Sequence, residues 1–70
     1  MIEVTLTKEH IDLYALLKLE SLTASGGEAK FCIAEGEVRV NGVVETRKRK
    51  KISAGDKVEF AGEILVVKAS

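Results

Sequence analysis

"SGGEAKFCIAEGEVRVNG", residues 25–42, decides the fold, because a helix start, a helix stop and a hairpin follow one another within it. Ser25 and Glu28 have the capping-box spacing: the Ser25 hydroxyl can accept from the Glu28 N–H, and the Glu28 carboxylate can reach back to the Ser25 N–H. A helix of about three turns therefore starts here, with Ala29, Cys32 and Ile33 as its buried stripe. Gly36 is placed to end it with a positive φ. Beyond it Val38 and Val40 point one way and Arg39 the other, and Asn41-Gly42 supplies the positive φ values of a type I′ turn.

Working outward, Ile2, Val4 and Leu6 alternate with Glu3, Thr5 and Thr7, the period of a half-buried strand. Thr7 offers an N-cap oxygen, Glu9 suits a first turn, and Leu13, Leu16 and Leu17 recur at helical spacing, so the pattern predicts a first helix over residues 8–20. Ile11, Tyr14, Ala15 and Leu19 fill its other faces, which predicts a largely enclosed helix. Downstream come Ile52, the Ala54-Gly55-Asp56 turn, the alternating Val58 and Phe60, the Ala61-Gly62 turn and a strand over residues 64–67. The expected fold class is α+β, two short helices packed on a small, mostly antiparallel sheet, as one domain over residues 1–70.

Composition excludes several classes. The chain is 46% hydrophobic and has no proline, as expected of a folded chain and not of a disordered tail. The first residues alternate and carry an early acid, unlike a signal peptide, and the run Ile64-Leu65-Val66-Val67 is far short of the roughly 20 residues of a membrane helix. The expected location is the cytoplasm, with no membrane partner. Cys32, the one cysteine, lies between Phe31 and Ile33 and reads as an inert core thiol. His10 is the one histidine, with no partner nucleophile or carboxylate indicated and no metal-ligand spacing around it. The chain is read as a non-enzyme with no catalytic residue, no metal, no cofactor and no small-molecule substrate.

The charge is unevenly spread. Residues 39–57 hold seven bases, Arg39, Arg47, Lys48, Arg49, Lys50, Lys51 and Lys57, against Glu45 and Asp56, a net of plus five in a chain of zero formal net charge. The remainder carries minus five. A run such as "RKRKK" repels itself, so folding alone gives no reason to gather it, whereas a polyanion does: each Lys or Arg set on a phosphate releases a counterion. The start of the second helix adds a weaker element, since its N-terminus presents free N–H groups and Gly26 and Gly27 carry no side chain to block a phosphate. RNA suits the chain better than duplex DNA, because a major-groove helix needs several Arg, Asn or Gln and this one offers Lys30. Tyr14, Phe31 and Phe60 lie in apolar patterns that read as core, so base stacking is not expected; structured RNA held by its backbone is, with poor sequence discrimination. The alternative is an adaptor whose basic face docks an acidic protein.

These stretches together resemble the S-four RNA-binding domain, named after the ribosomal small-subunit protein. The likeness rests on Glu28-Ala29-Lys30 among small residues, the Gly-x-Val-x-Val-Asn-Gly hairpin from Gly36 to Gly42, and the Gly55-Asp56 turn. "LLKLE", "SGGEAK" and "VETRKRKKI" more particularly resemble the short free-standing bacterial YbcJ-like RNA-binding proteins. The resemblance implies an α-L RNA-binding motif in which the second helix, the hairpin and the basic segment share one RNA-contacting face, with the ribosome or a ribosomal precursor among its partners. The residues expected on that face are Ser25, Gly26, Gly27, Lys30, Arg39, Asn41, Arg47, Lys48, Arg49, Lys50 and Lys51. Many members carry basic side chains where this chain has Gly26 and Gly27, which shifts the burden to the basic run.

Overall fold

The alternating apolar residues of four strands meet three leucines of one short helix and an alanine and an isoleucine of another in a single core. The computed structural model describes residues 1–70, with β1 at Ile2–Leu6, β2 at Ile11–Asp12, α1 at Leu13–Leu19, α2 at Gly26–Ala34, β3 at Val38–Val40, β4 at Val43–Val44, β5 at Lys51–Ile52, β6 at Lys57–Phe60 and β7 at Glu63–Ala69. Five strands form one sheet in the order β1-β7-β6-β3-β4, and β2 and β5 form a separate pair. β1 runs parallel to β7, with Ile2 opposite Leu65, and every other pairing is antiparallel. No helix is long and apolar enough to cross a membrane.

Because strand side chains alternate between faces, Val4, Leu6, Val38, Val40, Val58, Phe60, Leu65 and Val67 share the helix side of the sheet. They bury there with Leu13, Leu16 and Leu17 of α1, Ala29 and Ile33 of α2, and Ile52. A fully buried side chain of this kind contributes about 1.5–3 kcal/mol, so this face is the chief source of stability in so short a chain.

The second helix and the hairpin follow the sequence closely. Ser25 Oγ accepts from the Glu28 N–H at 3.1 Å, while the Glu28 carboxylate accepts from the Ala24 N–H at 3.0 Å, one residue before the expected partner. Gly36 leaves the helix at φ +79°, and Asn41 and Gly42 have φ of 52° and 84°, the two left-handed residues of a type I′ turn.

The first helix does not. Residues 7–9 are bent and residues 7–10 exposed, Ile11–Asp12 pairs with Lys51–Ile52, and α1 begins only at Leu13. Thr7 and Glu9 therefore lie outside it, and Asp12, in the N-cap position, makes no side-chain cap bond. The helix starts late because its first N–H groups find acceptors elsewhere in the chain. Nor is it enclosed: Leu19 is 62% exposed. Two more apolar readings change. Cys32 is half-buried against the core and not inside it, and Phe31 is 63% exposed. Phe31 is two residues from both Ala29 and Ile33, and at about 100° per residue that sets it on the opposite side of the helix.

Candidate nucleic-acid interface

The basic segment is held by its own backbone. The Leu13 N–H donates to the Lys50 carbonyl at 2.9 Å and the Tyr14 N–H to the Lys48 carbonyl at 3.1 Å, so two of the unpaired donors at the start of α1 are satisfied from the segment. The Lys50 N–H donates to the Arg47 carbonyl at 3.1 Å, and β5 pairs with β2 immediately after. Carbonyls turned toward α1 leave the side chains outward: Arg47, Lys48, Arg49 and Lys51 are exposed and Lys50 is half-buried.

The five cations differ in their partners. Arg47 is committed to Glu45, donating from Nε to Oε2 at 3.0 Å and from its terminal nitrogen to Oε1 at 3.1 Å, while its backbone N–H also donates to Oε2 at 3.0 Å. These side-chain and backbone bonds push the Glu45 carboxyl down to about 2, and Glu45 in turn raises the Arg47 guanidinium. Asp12 takes the Lys51 ammonium at 2.8 Å and lies 3.9 Å from the Arg49 guanidinium; the Lys51 hydrogen bond, with both charges assisting, holds its carboxyl below the ordinary range. Lys48 and Lys50 make no ion pair.

Tyr14 is where three elements meet. Lys30 of α2 places its Nζ 4.6 Å from the Tyr14 ring centroid, and the Arg49 guanidinium lies 5.9 Å from the same centroid. Such cation–π contacts hold a charge near a ring face without neutralising it. Gly26 completes the arrangement, since a Cβ built there would sit 3.7 Å from the Tyr14 ring. Reading Tyr14 as core hid this role: the ring is half-buried and carries two cations from distant parts of the chain.

The other expected residues are placed differently. Ser25 spends its hydroxyl on the Glu28 N–H, and its carbonyl accepts from Ala29 N–H and Thr23 Oγ1; Gly27 beside it is exposed. Arg39 points to the sheet face away from the helices, opposite Glu59 and in a cleft also lined by Glu37, so it is not brought together with Lys30 and Arg49. Asn41 is tied into the turn: its amide nitrogen donates to Asp56 Oδ1 at 3.1 Å and its amide oxygen accepts from the Lys57 N–H at 2.9 Å. Burial works to raise the Asp56 carboxyl, but the Ser53 N–H and the Asn41 amide outweigh it and leave it lowered. Phe31 is the surface residue that pattern reading missed. Its signal was available in the spacing, since Gly27, Phe31 and Ala34 stand at i, i+4 and i+7 on the side away from Ala29 and Ile33.

Comparison with known proteins agrees with this architecture. The chain is 57% identical over 60 residues to YbcJ of Escherichia coli (strain K12), covering 86% of each protein. It is 39% identical over 59 residues to RlbA of Bacillus subtilis (strain 168), named as a probable ribosome maturation protein, covering 84% of this chain and 83% of that one. The solution structure of YbcJ from E. coli, described as revealing an alfaL motif involved in RNA-binding, superposes with a TM-score of 0.76 at 53% identity over 99% of this chain and 89% of that one. The 30S ribosomal protein S4e from Thermoplasma acidophilum superposes at 0.58 with 26% identity, over 80% of this chain and 29% of its own. The S4 domain model matches residues 4–68, and with helices, hairpin and basic segment arranged as described, the chain belongs to the S4 domain family.

Proposed function

We propose that this protein is a non-catalytic RNA-binding protein that holds structured RNA, ribosomal RNA or an RNA of similar form, through the surface where the basic segment meets α1 and α2. The observation that carries the reading is the capping of α1 by the Lys48 and Lys50 carbonyls, which presents the neighbouring cations from a fixed backbone. A charge run in a loose loop must be ordered on binding, at a cost in conformational entropy; one already anchored avoids most of that cost. The centre of the face is Lys30, Lys48, Arg49 and Lys50, with Arg47 and Lys51 reached by exchanging a carboxylate for a phosphate. Gly26 and Gly27 line its α2 end, and Arg39 and Asn41 lie toward the hairpin, outside this cluster. The names of the relatives, an RNA-binding motif in YbcJ and ribosome maturation for RlbA, support the same reading.

The test is a titration followed by backbone amide shifts, with a structured RNA hairpin in one arm and polyglutamate of equal charge in the other. RNA should bind more tightly and move amides of residues 26–30 and 46–51. Equal affinity for the two polyanions would favour docking of an acidic protein, and shifts confined to the acidic remainder would refute the proposed face.

A further inference from the structure

Phe31 is solvent-exposed over 63% of its surface, on a helix whose other large apolar residues, Cys32 and Ile33, are buried in part or in whole. Its neighbours along that side, Gly27 and Ala34, are small and exposed, so neither covers the ring. Its sequence neighbour Lys30 leans over Tyr14 toward the basic segment. On the ring's other side stand Glu28 and Glu35, at i−3 and i+4. Of the three aromatic side chains, Phe60 is buried and Tyr14 has its ring engaged by two cations, which leaves Phe31 as the open aromatic surface.

We propose that the Phe31 ring is a stacking platform for an unpaired base of the bound RNA, whose adjoining phosphates lie on the Lys30 side. The inference rests on the RNA-binding reading above and deepens it: the preferred ligand becomes a structured RNA with a nucleotide bulged out of a stem. The charges set the direction, because Glu28 and Glu35 repel a phosphate and Lys30 attracts one, so the backbone runs along the Lys30 side and the base projects over the ring. The size of the apolar surface suits this occupant. One ring between glycine and alanine matches a single base, whereas a stable protein interface buries about 800 Å² on each partner. Stacking does not read base identity, so the site selects for an unpaired base and not for a sequence.

The experiment compares two RNA hairpins with equal numbers of phosphates, one fully paired in its stem and one with a single bulged adenosine. The parent should prefer the bulged hairpin by about 5- to 150-fold, the range that stacking on one aromatic side chain provides. Phe31→Ala should lose that preference while keeping its affinity for the paired hairpin and its salt dependence, since no charge is removed. Phe31→Trp should keep the preference, and its indole, the one tryptophan in the chain, should be quenched by the bulged hairpin and not by the paired one. A parent that binds both hairpins alike, or a Phe31→Ala protein that loses both equally, overturns the stacking site and leaves RNA binding standing. A folded parent that binds neither overturns the RNA reading itself.

Discussion

Replacing Lys30, Lys48 and Arg49 together by glutamine removes the three cations that the fold gathers around Tyr14 and the start of α1, without touching the backbone that positions them. The caps on α1 come from the carbonyls of Lys48 and Lys50, which glutamine retains. Lys48 makes no ion pair, and Lys30 and Arg49 lose cation–π contacts of about 0.5–1 kcal/mol each, so the variant should fold. If each cation sits on one phosphate, each contributes a slope of about 0.9 for duplex RNA treated like B-form DNA, or about 0.7 for single strands. At 0.1 M salt, counterion release then makes each contact worth roughly 5- to 8-fold, and three together about 10²–10³-fold. The assay is fluorescence anisotropy with a labelled RNA hairpin at several salt concentrations. The slope of log affinity against log salt should flatten by about 2–3, and the loss should be similar for RNAs of different sequence, because phosphate contacts position the protein without reading bases. Arg47→Gln should flatten the slope by less than one contact, since its guanidinium is already bound to Glu45. A triple variant with the parent's slope would place these cations off the phosphates and reduce the basic run to a solvated surface.

Four further outcomes follow from the geometry. Asp12→Asn, which frees Lys51 and Arg49 from their shared carboxylate, should raise RNA affinity several-fold at low salt, and an unchanged or weaker affinity in the same anisotropy assay would place those cations off the RNA. Asn41→Ala should cost about 1–3 kcal/mol in urea unfolding, through a left-handed alanine and the loss of the bonds to Asp56 and Lys57. Ala61, already left-handed at φ 52° before Gly62, should show the opposite sign, with Ala61→Asn stabilising by up to about 1 kcal/mol. Glu45 titrates near 2 in the folded chain against an ordinary 4.5, so its contribution to stability is complete above 4.5 and is lost as pH falls from there through about 2. Thermal melts should accordingly drop across that window, and Glu45→Gln should shallow the drop.

The features legible in the chain are those that depend on near neighbours. The Ser25–Glu28 cap spans three residues, and the Gly36 stop and the Asn41-Gly42 turn are local backbone geometry that needs φ > 0, so pattern and propensity were enough to place α2 and the hairpin. The alternation of Val38, Val40, Val58 and Phe60 likewise announced which sheet face is buried. Where α1 begins was decided only by tertiary structure, because its first N–H groups are satisfied by carbonyls more than thirty residues away, and no local signal marks that meeting. Distance along the chain also hid the functional surface. Lys30 and Arg49 are nineteen positions apart and come together on Tyr14 only because α2 packs on α1 and the basic segment caps it. An aromatic residue within an apolar run is usually buried, and the pattern around Phe31 predicts that of it. Its exposure was decided by which side of a nine-residue helix the sheet and α1 occupy, and that side belongs to Ala29 and Ile33.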